Sequence, residues 1–239
     1  MKVEFILAVV LALSSLTACA EVSDWQKDYD TLLKKYVGGG GVRYAGWKAN
    51  GADVAALGKV VEAIGAANTS GLSRNDQIAF YTNAYNAWIL HEALEKYPTK
   101  SVKDPLFTFF TGKRITVAGE RMSFKHLEDE IIRPRFKEPR VHFALNCASR
   151  SCPPLRAEAY DGAKLDAQFD EQTRAFVNSD RGVKPSAETG QLSKIFDWYK
   201  ADFGGEAGVM AFLKKYRKGT SEFKSVTYQD YDWGLNETK

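Results

Sequence analysis

One segment, residues 73–97, constrains the fold more than any other part of the sequence. Ser73 is a favourable N-cap, Asp76 three residues later resembles the second half of a capping box, and Tyr97 before Pro98 ends the segment. Placed at about 100° per residue, its apolar side chains leave no wholly polar face. The sequence therefore predicts a central helix that is buried on all sides.

The polar side chains of this apolar segment include Gln77, Asn83, Asn86 and His91. A buried amide without a partner costs ~1–3 kcal/mol, so each of them must find a hydrogen bond. Asn83 and Asn86 are about one turn apart and can serve the same neighbour. Two interpretations stay open: the asparagines tie loops to the core, or they line a substrate-binding site.

The remaining patterns predict one α+β domain, rich in helix, with a small and mainly antiparallel sheet. No internal repeat or low-complexity linker divides the chain, so the domain is expected to cover residues 21–239. The predicted elements are helices at 24–37, 52–67, 127–136, 166–176, 192–203 and 207–216, a hairpin at 113–124 and a strand-like tail at 225–235.

Residues 1–20 have the pattern of a signal peptide: a basic start, a short apolar run and small residues before a cut. Ala18–Ala20 fits a signal-peptidase site that leaves Glu21 as the first mature residue. Leu16–Cys19 resembles a bacterial lipobox, in which Cys19 is lipidated. We therefore expect an exported, periplasmic protein, attached to a membrane only if Cys19 carries a lipid.

Composition narrows the range of partners. The net charge is +3, from 33 Lys and Arg against 30 Asp and Glu, which predicts no nucleic-acid partner. The sequence contains no Gly-rich phosphate loop, dinucleotide fingerprint or Ser-centred elbow, so no cofactor is predicted. We expect a monomer whose ligand is a small molecule, a peptide or a glycan.

The segment 140–154, RVHFALNCASRSCPP, is the chemically densest part of the chain. Apolar residues alternate from Val141 to Leu145, which predicts a half-buried strand with His142 on its other face. A polar loop follows, and loops after core strands commonly carry binding and catalytic groups. The candidate substrate-binding residues are Asn83, Asn86, Asn146, Ser149, Arg150 and Ser151.

Cys147 and His142 are the candidate catalytic residues, as thiol nucleophile and base. An extended strand would separate their Cα atoms by roughly 16 Å, so a local dyad needs a bulge or turn, or else His91 as the base. The alternative is a Cys147–Cys152 disulfide that pins the loop of an exported protein. Zinc is not predicted, because no second Cys/His pair accompanies Cys-x4-Cys.

Three strings carry a resemblance to a known family: QIAFYTNAYNAWILHEAL at 77–94, HFALNCASRSCPPL at 142–155, and LSKIFDWYKADFG at 192–204 with YDWGLN in the tail. Together they resemble the exported bacterial form of the family called domain of unknown function 547, over about 75–235. The resemblance implies no settled reaction. It marks Asn83, Asn86 and the loop from Asn146 to Pro154 as hallmark positions.

A weaker similarity is to papain-like and transglutaminase-like folds, in which a buried helix packs on a sheet that presents a histidine. Here Asn83 or Asn86 stands where those enzymes place the nucleophilic Cys, so the site is either degenerate or receives its thiol from the loop.

Asp197 and Asp202 either face solvent or orient a histidine. Two functional hypotheses follow: a thiol-dependent hydrolase or acyl transferase, and a non-catalytic envelope binding module with a structural disulfide.

Overall fold

A computed structural model of the chain describes residues 24–103, 108–186, 189–218, 223 and 225–239. The predicted signal segment, with Cys19 and Glu21, lies outside the described residues. None of the helices in the described ranges is long and apolar enough to cross a membrane.

The helices and strands follow each other in this order: α1 (24–36), β1 (Val37–Gly38), β2 (Gly41–Val42), α2 (Tyr44–Ala49), α3 (Gly51–Ala66), α4 (Arg74–Lys96), α5 (Thr108–Thr111), β3 (Ile115–Val117), β4 (Glu120–Met122), α6 (Phe124–His126), a π-helix (Leu127–Ile132), α7 (Arg133–Phe136), a 3-10 helix (Pro139–Phe143), α8 (Leu165–Val177), β5 (Val183–Ser186), β6 (Thr189–Leu192), α9 (Ile195–Trp198), a second 3-10 helix (Lys200–Phe203), α10 (Gly205–Tyr216) and β7 (Ser225–Tyr228).

The central helix is confirmed as α4. Its N-cap is Ser73, whose Oγ accepts the backbone N–H of Asp76 at 3.2 Å, and its C-cap is Tyr97. From Ile78 to Leu90 every side chain of α4 except Trp88 is buried. Asn83 and Asn86 are hydrogen bonded to other segments of the chain, whereas the Thr82 hydroxyl and Nδ1 of His91 are buried without a partner among the described residues.

The small sheets fit the predicted α+β class. β1 pairs with β2 and β3 pairs with β4, both antiparallel, while β6 lies between antiparallel β5 and parallel β7. The predicted hairpin at 113–124 is β3–β4, and its turn is hydrogen bonded to the end of α3. The papain-like arrangement stays a prediction.

The strand predicted before Cys147 is wrong. Residues Pro139–Phe143 form a 3-10 helix, with Pro139 in its first turn and the Glu138 carboxylate accepting the N–H of Arg140 at 3.1 Å. Every residue from 141 to 146 is buried. Phe143 belongs to a second hydrophobic core around α8 and α10, whereas Val141 belongs to the main core around α4. The alternation thus reflects burial on both sides of a helical turn.

The helix predicted at 192–203 is also wrong in part. Leu192 is the last residue of β6, where it pairs with Val183 and Tyr228, and only one turn of α9 and a 3-10 helix follow. The tail at 225–235 is a strand only in β7. Beyond it the chain crosses the domain through isolated bridges, Ser101 to Gly234, Ser149 to Leu235 and Val42 to Glu237.

Candidate active site

The loop that carries Cys147 is a tight, strained turn. Ala148 has φ of 61°, in the left-handed region that costs a non-glycine residue roughly 1–2 kcal/mol. Its N–H is accepted by the side-chain oxygen of Asn146 at 2.9 Å, and its carbonyl accepts the N–H of Asn236 at 3.0 Å. The Cys152 N–H closes the turn on the Ser149 carbonyl at 3.2 Å.

Two asparagines hold this loop against α4. The Asn86 amide donates to the Ala144 carbonyl at 2.9 Å, and its oxygen accepts the N–H of Asn146 at 2.8 Å. The Asn146 amide in turn donates to the Pro153 carbonyl at 2.7 Å. Asn86 therefore anchors the start of the loop, and Asn146 joins its two ends.

Asn83 makes the same kind of contact with another segment. Its amide donates to the Tyr160 carbonyl at 2.8 Å, and its oxygen accepts the Tyr160 N–H at 2.9 Å. Asn83 and Asn86 are thus both bound to backbone, in the way that the loop-tying interpretation predicts.

A cavity of about 220 Å³ opens beside the loop. Its aromatic wall consists of Tyr85, Phe110, Trp198, Tyr199, Tyr231 and Trp233. Its polar groups are Lys125, Glu128, Asp129, His142, Cys147 and Cys152. The segment after His142 therefore folds over the central helix, which contributes Tyr85 to the wall of this cavity.

The Cys147 thiol is half-buried in this cavity and surrounded by donors. Its Sγ lies 3.0 Å from the Ser149 Oγ and 3.3 Å from the Tyr231 hydroxyl, and its backbone N–H donates to the Cys152 Sγ at 2.9 Å. Burial raises the pKa of Cys147, but hydrogen bonds from Cys152, Ser149 and Tyr231 outweigh it and lower that pKa to about 7.

Cys152 behaves in the opposite way. It is 4% exposed, and burial together with the neighbouring Cys147 raises its pKa well above that of an ordinary thiol. Both cysteines are free thiols in the structure, so the predicted disulfide is not formed there.

His142 is buried and paired with a carboxylate. Its Nε2 lies 2.8 Å from Asp202 Oδ2, and its ring stacks on Tyr199 at 4.0 Å between centroids. Arg133 donates to both oxygens of Asp202, at 2.7 and 3.1 Å. Hydrogen bonds from His142 and then Arg133 hold the pKa of Asp202 far below its usual range.

Asp202 is the one of the two predicted aspartates that orients a histidine, through its contact with His142. Asp197 forms ion pairs with Lys194 and Lys200 instead. The other nitrogen of His142, Nδ1, is buried and has no hydrogen-bond partner among the described residues. That nitrogen is therefore the one left for a proton transfer.

The structure brings Cys147 and His142 to the same cavity, but no hydrogen bond joins them. His91, the alternative base, is packed edge-on against Trp88 at 5.4 Å and is not among the residues that line this cavity. His142 also borders a second cavity, of about 400 Å³, on the side of Arg133 and Asp202.

The predicted substrate-binding residues separate into two groups. Asn83, Asn86 and Asn146 do not line the cavity, and their amides are bound to backbone as described above. In the loop, Ser149 contacts the thiol, whereas Arg150 and Ser151 contact the tail through Asp232.

Sequence reasoning missed the tail's contribution to the site. Tyr231 reaches Cys147 from 84 positions away, and it stands in a cluster with Trp198 and Trp233, at 4.8 and 4.6 Å between ring centroids. The only signal was the aromatic string in the tail, which carried the family resemblance.

Comparison with protein families decides what the chain is related to. Residues 69–177 match the model of a protein family of unknown function, DUF547. This part of the chain is therefore similar to the DUF547 family. The DUF547 match contains α4, His142 and both cysteines, and it ends before Asp202 and Tyr231. No curated protein and no solved structure matches the sequence.

Among the described residues, no group of three or more His, Cys, Asp or Glu side chains is arranged to hold a metal ion.

Proposed function

We propose that the protein is a thiol-dependent hydrolase or acyl transferase, with Cys147 as the nucleophile and His142 as the acid and base. The observation that carries the proposal is the position of the thiol, in a cavity that is also lined by His142, a buried histidine paired with the carboxylate of Asp202. Nucleophile, base and orienting carboxylate are the three parts that thiol acyl transfer requires.

The surroundings of Cys147 favour its reactive form. With its pKa lowered to about 7, a large fraction of Cys147 is thiolate at neutral pH, without a proton acceptor in contact. The Ser149 and Tyr231 hydroxyls stabilise the negative charge on sulfur. The thiolate attacks the carbonyl carbon of the substrate, and the leaving group departs to give an acyl-enzyme.

His142 supplies the proton that the leaving group needs. Asp202 holds Nε2 of the ring, so Nδ1 takes up the proton that the Cys147 thiol loses, donates it to the leaving group, and then takes a proton from water or from an acceptor nucleophile. Attack of that nucleophile on the acyl-enzyme releases the product and restores the thiolate. Catalytic hydrogen bonds commonly tighten only when substrate is bound, which accommodates the missing Cys147–His142 contact.

The aromatic wall supports the second candidate, a binding module for a peptide or a glycan. Trp198 is 46% exposed, and it packs with Tyr231 and Trp233 beside the thiol. Exposed aromatic side chains of this size commonly mark ligand-binding surfaces. The two candidates differ in what Cys147 does, because a binding module needs no reactive thiol.

A panel of activity assays distinguishes the thiol-dependent hydrolase or acyl transferase from the binding module. Purified protein is assayed with small thioesters, activated esters and peptide amides, alongside the variants Cys147→Ser and Arg150→Ala. We expect Cys147→Ser to lose at least roughly 10³-fold in kcat/KM, since it removes the nucleophile. Arg150→Ala is the matched control, because Arg150 lies in the same loop but outside the cavity. Equal activity of Cys147→Ser and wild type on every cleaved substrate would refute the proposal.

We further propose that the protein acts outside the cytoplasm, as the pattern of residues 1–20 predicts. Cell fractionation followed by intact-mass measurement tests this directly. A chain beginning at Glu21 supports a cleaved soluble form, and a lipid on Cys19 supports an anchored one. Recovery of the chain in the cytoplasm with residues 1–20 still attached contradicts both.

A further inference from the structure

We infer that Cys152 is a resolving thiol for Cys147: a hydroperoxide oxidises Cys147 to the sulfenic acid, and Cys152 converts that product into a reversible Cys147–Cys152 disulfide. The oxidation itself is independent of acyl transfer. Only its effect on catalysis rests on the proposed function.

The argument begins with the approach of the two thiols. Cys147 and Cys152 lie at the two ends of one turn, and the Cys147 N–H donates to the Cys152 Sγ at 2.9 Å. The Cys152 sulfur is therefore within contact of the Cys147 main chain while both cysteines are still free. A second thiol held this close reacts as if at very high concentration.

The two thiols differ in access. Cys147 is half-buried and faces the cavity, whereas Cys152 is 4% exposed. A small oxidant therefore meets Cys147 first. The raised pKa of Cys152 keeps it protonated, and the lowered pKa of Cys147 favours the thiolate, which is the form that peroxides attack.

The chemistry balances in two steps. The Cys147 thiolate attacks one oxygen of the hydroperoxide, the O–O bond breaks, and with one proton the products are the sulfenic acid and an alcohol or water. The Cys152 sulfur then attacks the Cys147 sulfur, the S–O bond breaks, and the hydroxyl leaves as water with the Cys152 proton. The peroxide gains two electrons and the dithiol loses two. A dithiol reductant reverses the result by thiol–disulfide exchange.

Such a disulfide removes the nucleophile and protects it at the same time. A sulfenic acid without a resolving thiol proceeds to sulfinic and sulfonic acids, which reductants do not restore. The predicted structural disulfide and the predicted nucleophilic thiol are then two redox states of one cysteine pair.

The sequence offers a clean test, because Arg150 lies between the two cysteines. Trypsin cleaves after it and separates Cys147, in peptide 141–150, from Cys152, in peptide 151–156. The reduced full-length protein is treated with one equivalent of hydrogen peroxide, blocked with an alkylating agent, digested and analysed by mass spectrometry. We expect the two peptides to be joined by a disulfide, and to separate when a dithiol reductant is added.

Two variants give the matched controls. Cys152→Ser should convert peptide 141–150 to its sulfinic and sulfonic forms, at peroxide doses that leave wild type fully recoverable. Cys147→Ser should show no oxidation of Cys152 at the same dose. Circular dichroism confirms that each variant is folded, and Cys152→Ala replaces Cys152→Ser if the serine variant is not.

Over-oxidation of wild type to the same extent as Cys152→Ser would overturn the inference, and so would a Cys152 that reacts first. Acyl-transfer activity is measured on the same samples. A disulfide that forms in a protein without activity on any substrate supports the resolving thiol and refutes the hydrolase. Activity that persists after complete disulfide formation refutes Cys147 as the nucleophile.

Discussion

The asparagine contacts and the thiol–histidine site are neighbours along residues 142–147, and they use polar groups in opposite ways. The side-chain amide and oxygen of Asn86 are both bound to backbone, and Asn146 likewise makes contacts with both its amide and its oxygen. At the candidate site, by contrast, His142 keeps one buried nitrogen without a partner among the described residues, and the Cys147 thiol is hydrogen bonded to two hydroxyls, to a second thiol and to the backbone of Ser149. Side chains whose hydrogen-bonding groups all have partners fix the position of the loop. Side chains that keep a group without a fixed partner remain available for a reaction.

Asn86→Ala should give the largest effect on stability. It leaves the Ala144 carbonyl and the Asn146 N–H buried without partners, so we expect a loss of about 2–4 kcal/mol in the free energy of unfolding, measured by urea denaturation. Cys147→Ser, by the same measurement, should change stability by less than about 1 kcal/mol.

Glu95→Ala is the matched control for Asn86→Ala, because Glu95 is exposed on the same helix. It should stay within about 0.5 kcal/mol of wild type. If Asn86→Ala unfolds at the same urea concentration as Glu95→Ala, Asn86 does not hold the loop. The contrast between the asparagine contacts and the thiol–histidine site is then refuted.

Asp202→Asn tests the thiol–histidine site through the pH dependence of protein stability. The pKa of Asp202 is lowered in the folded protein, so its contribution to stability is present above about pH 4 and is lost as the pH falls through the lowered value. The carboxylate is 27% exposed, so we expect the variant to be about 1–2 kcal/mol less stable at neutral pH. The difference should shrink in acid.

Asp197→Asn is the control for Asp202→Asn, since Asp197 forms ion pairs with Lys194, just before α9, and with Lys200, in the second 3-10 helix. It should lower neither the stability nor the rate of acyl transfer. A deficit of Asp202→Asn that is the same in acid as at neutral pH would contradict an ionised Asp202 paired with His142.

Tyr231→Phe should produce the smallest shift and the most specific one. Removing its hydroxyl takes one donor from the Cys147 thiolate, which raises the pKa of Cys147 by about one unit, or roughly 1.4 kcal/mol. The measurement is the pH midpoint of Cys147 alkylation by iodoacetamide. Tyr228→Phe, a change in nearby β7, should leave the midpoint near 7. An unchanged midpoint in Tyr231→Phe excludes the hydroxyl as a donor.

Sequence patterns predicted what local interactions determine. The caps and the all-round apolar surface of α4 are written into residues 73–97, and the hairpin of β3 and β4 has the alternation expected of it. The strand before Cys147 could not be distinguished from a buried 3-10 helix, because burial in two cores produces apolar residues at the same positions. The features of the sequence that indicate a helical turn here are Pro139, in the first turn, and Glu138, whose side chain caps it.

The candidate site was predicted only in part, for a similar reason. Cys147 and His142 line one cavity, since both lie within a few residues of the loop that α4 holds. Their partners lie far along the chain: Asp202 is 60 positions from His142, and Tyr231 is 84 positions from Cys147. No spacing rule within a single segment joins such residues, because tertiary packing alone brings them together.

The tail that crosses the domain has a consequence for how relatives of this chain should be compared. The stretch that matches the DUF547 family ends at residue 177, yet the hydroxyl next to the thiol and the carboxylate next to the imidazole lie beyond it. A relative that retains only the shared stretch inherits a cysteine without the groups that tune it. Alignments should therefore extend through the position of Asn236 before reactivity is transferred from one member to another.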